Sequence, residues 1–537
     1  MRTLASVTLA TALASTSIAC DGATPHDAGP EPGVDAATDA GLDAGIAAPV
    51  TVTTTAGDVL GVERDGVAVF RSIPYAAPPV GTRRFARPAP HPGWSDVLDT
   101  TATDATLACP QVDRMTGGFR GEEDCLVLSV FAPARAAGAP VMVFIHGGGF
   151  TGGSGNEPLY DGRSLAARGV VVVTLNYRLG VLGFLALDAL VEDDGGAGML
   201  GLYDQRLALA WVRDNAAAFG GDPANITIFG ESAGAVSVMM QMVSPGSRGL
   251  FQRVIVQSGG GGWGYDAQDA AIARYAPVLT ALGCEGAPDV VACLRAADDV
   301  EAITRAMDAA GTSALGLPNV GPHVDGAFLP STPYALVADG TADVPFFVGS
   351  NADEATVFTR TIPVPTMAAF RAILGSVYDE ATADAVVAIY DADRFGTAKA
   401  AFDKFFGEVG FVCPALAFAA AGAGGEPVYA YHFTRVLPGV AGTLGAFHGL
   451  ELAFVFGQPG ISAAYVPNDD DWALVETMQR AWVGYATSGV PVFAPGLSRY
   501  DPAAPSLAIF DEPPAQADAI AGGRCAALAE LGLGVAP

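Results

Sequence analysis

The stretch "NITIFGESAGAVSV", residues 225–238, passes from a short apolar run through Ser232 to an Ala- and Val-rich stretch that continues as "MMQMV". Gly230 and Gly234 stand two residues to either side of the serine. In a chain of 67 glycines that spacing alone says little. Its setting says more, because strand, sharp turn and helix in succession can hold a serine hydroxyl exposed at the end of a sheet, with small residues letting the helix close on the strand. The plain alternative is a small residue in a tight turn, so the decision falls to the partners that a nucleophile would need.

A serine hydroxyl attacks only with a base in reach and a third group to orient that base. The oxyanion formed on attack also needs backbone N–H donors from a loop free of bulky side chains. "IHGGGF", residues 145–150, offers such a loop after the apolar run "PVMVF" and upstream of Ser232. Its candidate donors are the N–H groups of Gly148 and Gly149, joined by that of Ala233. On a strand–turn–helix scaffold of this kind the chain order is serine, acid, histidine. Of the six histidines only His432 and His448 lie far enough beyond Ser232 to leave room for an acid. His432 falls inside the alternating run "VYAYHF" and reads as structural. His448, in "LGAFHGLEL", falls on a loop, where catalytic groups are commonly placed. For the acid, "VPFFVGSNADE" offers Asp353 and Glu354, and spacing leaves both open.

Further out, "VLSVFAP", "APVMVFIHG", "GVVVVTLNYR", "RVIVQSG", "VPFFVGSN" and "VYAYHF" are near-continuous runs of Val, Ile and Phe. Such runs predict strands buried on both faces, as in a parallel sheet covered by helices. "LYDQRLALAWVRDNAAAFGG" predicts an amphipathic helix stopped at Gly220 and Gly221. Residues 50–76 alternate apolar and polar around two turn signals and predict an antiparallel ribbon. The fold class expected is α/β, a large, mostly parallel sheet flanked by helices with an N-terminal antiparallel hairpin. Residues 49–537 read as one catalytic domain, with Ala-rich helical insertions at 263–320 and 359–427. The run "NDDDW" at 468–472 reads as a solvated loop before a helix.

Residues 1–20 combine Arg2, the apolar stretch "LASVTLATALASTSIA" and Cys20, the layout of a secretory signal. "SIAC" resembles a bacterial lipobox with Ser17 in place of its Leu, which makes Cys20 a candidate lipidation site and a lipid anchor the implied membrane contact. Residues 21–48 carry Asp, Ala, Gly and Pro and no Lys or Arg, as a disordered tether would. A net charge of −29 argues against nucleic acid as a partner and leaves small neutral molecules open. Seven cysteines fit an exported chain in the cell envelope or outside the cell. With Cys20 set aside, two close pairs suggest short disulfide loops, while the sequence alone leaves the pairing undecided. No C-x-x-C or histidine cluster points to a metal, and the chemistry above needs no cofactor.

With "FRSIPYAAPPVGTRRF", "EEDCLVLSVF", "NYRLGVLGF", "VDGAFLP" and "GSNADEA" added to these motifs in one order, about residues 50–530 resemble the type-B carboxylesterases. This family of α/β-hydrolases includes the cholinesterases and the bacterial p-nitrobenzyl esterases. The resemblance implies the α/β-hydrolase fold and hydrolysis of a small-molecule carboxylic ester through an acyl-enzyme. It implies Ser232 as nucleophile, Glu354 rather than Asp353 as acid, His448 as base, and Gly148, Gly149 and Ala233 as oxyanion donors. Glu231 and Ser258 fall beside this triad without belonging to it, Glu231 with an electrostatic part. The implied disulfides are Cys109–Cys125, Cys284–Cys293 and Cys413–Cys525, which leaves Cys20 unpaired. Met199 stands where the family has Asn, and Ser129 where "LNV" has Asn; both substitutions point to packing. The Cys109–Cys125 loop has no Trp, so the aromatic choline site of the cholinesterases has no counterpart. Gly316 and Pro318 at the acyl-pocket positions imply a roomier pocket. The rival readings are a lipase or secondary-metabolite esterase of the same fold, and a non-catalytic cell-surface binding module, which the joint presence of Ser232, Glu354 and His448 opposes. Oligomeric state has no signature in the sequence.

Overall fold

In the computed structural model of the chain, which describes residues 47–101, 107–113, 116–260, 265–312, 319–460 and 465–534, the β-branched runs assemble into one 13-stranded sheet. The signal segment, Cys20 and the tether to residue 46 lie outside the described residues, as do Gly316 and Pro318. Strands β1 (Ala48–Thr54), β2 (Gly57–Arg64) and β3 (Val67–Pro74) form the antiparallel ribbon. Asp65 and Gly66 turn it with φ of 54° and 77°, the left-handed pair a two-residue hairpin turn requires.

The centre of the sheet is built from β4 (Val127–Pro133), β5 (Ala139–Ile145), β6 (Val171–Leu175), β7 (Gly221–Glu231), β8 (Arg253–Gln257), β9 (Phe346–Asn351), β10 (Val428–Phe433) and β11 (Leu507–Phe510), with β12 (Ala515–Ala517) at the far edge. Their spatial order is β1-β2-β3-β4-β6-β5-β7-β8-β9-β10-β11-β12, and Leu98–Asp99 adds a short strand beside β2. Every pairing from β6 to β11 is parallel. Strand β4 departs from the parallel reading of its run, since it is antiparallel to both β3 and β6. It is buried along nearly its whole length all the same. Apolar continuity therefore reports coverage of both faces, which a mixed sheet can also have, and not strand direction.

That coverage is visible residue by residue. On β5, Val141, Val143 and Ile145 enter one core while Met142 and Phe144 enter the other, and on β8 Val254 and Val256 oppose Ile255. Helices α1 (Leu200–Asn215) and α2 (Ala233–Val243) close the first face. Helices α5 (Leu450–Val455) and α6 (Asp469–Ser488), with Trp482 inward, close the second. Helix α1 ends through a 3-10 turn at Gly220, whose φ of 78° stops it as expected. Helices α3 (Ala398–Gly407) and α4 (Cys413–Gly422) flank a π-helical turn, Glu408–Val412, and α7 (Arg524–Glu530) ends the described chain.

The "NDDDW" run is not a solvated loop. Asn468 caps α6, the three aspartates form its first turn, and Asp471 is fully buried against Arg435 at 2.8 Å. Acidic groups suit a helix N-terminus, and a capping box absorbs two of its free N–H groups. The disulfides are Cys109–Cys125, Cys284–Cys293 and Cys413–Cys525.

Candidate active site

Strand β7 delivers the chain to Ser232 and α2 takes it away. Between them Ser232 holds φ 57° and ψ −125°, a conformation costing about 1–3 kcal/mol that survives only where its surroundings enforce it. The Ser232 N–H donates to the Gln257 carbonyl at 3.0 Å, and the Ser232 carbonyl accepts from Val236 N–H at 3.0 Å. Both flanking glycines are required by space. A Cβ on Gly234 would lie 2.0 Å from the Ile145 carbonyl oxygen, and one on Gly230 would lie 2.6 Å from the Gly234 carbonyl carbon. Glycine thus lets α2 close directly on β5 and β7.

Past the end of β9 the backbone turns so that Glu354, fully buried, points back toward the site. Its Oε1 accepts from Asn351 N–H and Ser258 Oγ, each at 2.7 Å, and its Oε2 accepts from His448 Nδ1 at 2.6 Å. Asp353 points elsewhere, to Lys404 Nζ at 3.0 Å and Ala446 N–H at 3.0 Å. These neighbouring side chains leave on opposite sides of the turn, Glu354 toward His448 and Asp353 toward Lys404. Phe358 and Phe411 pack against the His448 ring, with centroids 5.0 and 4.7 Å away. His432 sits buried in β10 with Nδ1 3.3 Å from Ser350 Oγ. Burial, aided by Lys404, lowers its pKa to about 4, which keeps it a neutral structural residue.

Two more carboxyl groups surround His448. Glu231 Oε1 lies 3.0 Å from Nε2 but out of hydrogen-bond alignment, and neither atom has a hydrogen-bond partner among the described residues. The same carboxylate lies against Gly147 and Gly449, where a Cβ would stand 2.8 and 3.4 Å from its oxygens. Fully buried Glu451, on α5, accepts from Asn351 Nδ2 at 2.6 Å and Gln257 Nε2 at 3.2 Å. Gln257 in turn accepts from Trp482 Nε1 at 3.1 Å. Burial pulls the His448 imidazole down, yet Glu231 and Glu354 outweigh it and raise its pKa to about 9. Burial pushes the carboxyls of Glu231 and Glu451 well above their ordinary range, with Glu354 adding to the push and His448 opposing it. The cluster is built to keep one positive charge among several acids. Sequence reasoning missed Glu451, Asn351 and Gln257. Their one signal was polarity inside runs otherwise apolar and buried.

The glycine loop curls beside the nucleophile. Gly148 and Gly149 take φ of 105° and 63°, and the Gly148 carbonyl accepts from Thr151 and Gly152 N–H at 3.2 and 3.1 Å. A Cβ on Gly147 would lie 3.0 Å from the Ser232 Cβ. Among the described residues the N–H groups of Gly148 and Gly149 donate to no protein atom, and Ala233 opens α2, where an N–H has no acceptor within the helix. Three donors are thereby gathered near the Ser232 turn. No cluster of His, Cys, Asp and Glu fit for a metal occurs among the described residues.

Residues 48–510 match the model of the carboxylesterase family. The chain belongs to the carboxylesterase family. This carboxylesterase is 39% identical over 453 residues to the para-nitrobenzyl esterase of Bacillus subtilis (strain 168), with 82% of this chain and 90% of that protein covered. It is 38% identical over 460 residues to the fumonisin B1 esterase of Sphingopyxis macrogoltabida, covering 82% of each chain. With the acetylcholinesterase of Bungarus fasciatus it shares 36% identity over 483 residues, 82% of this chain and 78% of that one. A solved structure titled PNB esterase superposes with a TM-score of 0.77 at 34% identity, covering 89% of this chain and 99% of its own. The carboxylesterase is thus a carboxylic ester hydrolase of the α/β-hydrolase fold, acting on small-molecule esters.

Proposed function

We propose that this carboxylesterase cleaves its ester through an acyl-enzyme on Ser232, with His448 as general base and Glu354 as its orienting acid. The observation that carries the reading is the 2.6 Å bond from His448 Nδ1 to the fully buried Glu354. It fixes the tautomer in which Nε2 is free to take the serine proton. Ser232 Oγ attacks the ester carbonyl as its proton passes to His448 Nε2. The oxyanion is held by the N–H groups of Gly148, Gly149 and Ala233, and His448 returns the proton to the leaving alcohol. Water, activated by the same imidazole, then attacks the acyl carbon and releases the acid. The net charge of −29 favours neutral esters over polyanions, and three disulfides favour work in an oxidising compartment outside the cytosol.

Replacement of Ser232 by Ala is expected to lower kcat on p-nitrophenyl butyrate by about 10⁶-fold, as loss of a serine nucleophile does elsewhere. The same replacement should abolish labelling by a fluorophosphonate probe. A variant that keeps either property while folding normally would remove Ser232 from the mechanism. A non-catalytic binding module would leave even the wild-type chain unlabelled.

A further inference from the structure

Gln111 lies on the two-residue strand Gln111–Val112, which pairs with Phe119–Arg120 inside the Cys109–Cys125 loop. It is buried, and its amide is saturated. Nε2 donates to the Gly153 carbonyl at 2.8 Å and the Cys109 carbonyl at 3.0 Å. Oε1 accepts from Gly153 N–H at 2.9 Å and Arg120 Nη2 at 3.1 Å. Two donor and two acceptor bonds are all that a side-chain amide can make. Gln111 therefore grips both backbone groups of Gly153 as a neighbouring strand would.

Gly153 is the far end of the glycine loop. Its φ is 102°, and a Cβ there would lie 2.5 Å from His146 Nδ1 and 2.6 Å from the Gly147 carbonyl oxygen. One residue earlier, Gly152 N–H donates to the Gly148 carbonyl. Holding Gly153 thus holds Gly147 and Gly148 from behind. The hairpin that carries Gln111 is itself fastened, because the Leu107 carbonyl accepts from Ser154 Oγ, Asn156 Nδ2 and Asn176 Nδ2 at 2.9–3.1 Å and the disulfide closes its base.

We infer that Gln111 is a positioning residue for the oxyanion loop, the part through which the Cys109–Cys125 hairpin sets the aim of the Gly148 and Gly149 N–H groups. The inference rests on the reading of those groups as oxyanion donors. Donors that stabilise a transition state must be held in place before charge develops, and a misplacement of about 1 Å can cost about 10²-fold in rate. The loss therefore falls on kcat, while ground-state binding of the ester is little changed.

The test uses Gln111→Ala and Gln111→Glu in the full chain, with kcat and KM on p-nitrophenyl butyrate, inhibition by an alkyl trifluoromethyl ketone, and thermal melting. The ketone adds Ser232 Oγ to its carbonyl carbon as the serine proton passes to His448, which leaves a hemiketal oxyanion for the loop to hold. Gln111→Ala is expected to lower kcat by about 10²-fold with KM nearly unchanged. Its ketone inhibition constant should rise by the factor that kcat/KM falls. Gln111→Glu keeps the size and both acceptor bonds but loses the donors to Gly153 and Cys109, and should give a smaller loss of the same kind. If the alanine variant does not fold, the glutamate variant decides alone. Wild-type kcat in a folded variant, or a loss that only tracks the folded fraction, overturns the inference. A wild-type enzyme that the ketone does not inhibit overturns the oxyanion reading itself, a result distinct from inhibition that Gln111 variants leave unmoved.

Discussion

At the scale of single residues the site is set by charge as much as by geometry. His448 can act as base only when neutral, yet the carboxylates around it raise its pKa from 6.5 to about 9. A raised imidazole pKa means that the ion pairing stabilises the fold fully below pH 6.5 and that this stability is lost as pH rises through about 9. Glu231→Gln removes the carboxylate nearest Nε2, so His448 should lose its proton at lower pH. The acidic limb of the kcat/KM profile should then shift to lower pH, which a pH–rate series measures directly. An unmoved limb would show that Glu231 does not set the charge on His448. Ser232 and His448 stood out in the sequence as candidates because chain order and loop placement leave few alternatives. Spacing could not separate Asp353 from Glu354, which only the resemblance did, since adjacent acids differ in the side from which they leave the turn. Met199 illustrates the same limit. It holds φ 57° at the start of α1, and its Sδ accepts from His323 N–H at 3.3 Å, a contact across 124 residues that local pattern cannot carry.

At the scale of elements, the strands were readable because burial on both faces leaves a strong apolar signature, whereas direction leaves none, as β4 shows. What joins the acid loop after β9 to the histidine loop before α5 was also hidden. Asp353 N–H donates to the Ala446 carbonyl and Asp353 Oδ2 accepts from Ala446 N–H, both at 3.0 Å, while Asn351 Nδ2 donates to the Phe447 carbonyl at 2.7 Å. Lys404 ties the same aspartate to α3. Gly445, with φ 69°, gives the carboxylate room, since a Cβ there would overlap it. Asp353→Ala strips the side-chain acceptor from Ala446 N–H and leaves Lys404 Nζ only the Ala352 carbonyl at 2.7 Å, and should cost about 1–3 kcal/mol in urea denaturation. It should also lower kcat by loosening His448 against Glu354. Asp353→Asn retains an acceptor for Ala446 and should lose less of both. Equal stability and turnover in all three proteins would mean that the Asp353 carboxylate is not needed to hold the two loops together.

At the scale of the whole molecule, the C-terminal helix reaches back to the wall of the site. Cys525 on α7 bonds Cys413 at the start of α4, and the neighbouring Arg524 pairs with Glu408, buried and also hydrogen-bonded to Tyr390. Glu408 opens the π-helical turn that brings Phe411 against His448. Spacing suggested the two short loops and the resemblance implied all three pairs, but Cys413 and Cys525 meet only through the packing of segments 112 residues apart. The three bridges close loops of very different size, with separations of 16, 9 and 112 residues. In the chain-entropy account a loop of about 100 residues restricts the unfolded chain by about 4.7 kcal/mol, against about 3 kcal/mol for one near 15. The Cys413→Ser/Cys525→Ser double variant should therefore lose more stability in urea than the corresponding variant of either short loop. Because α7 buttresses the π-turn, its turnover should also fall before global unfolding begins, at urea concentrations that leave the sheet intact by far-ultraviolet circular dichroism. Loss of activity and loss of circular dichroism at one midpoint would instead make the bridge a global staple with no separate hold on the site.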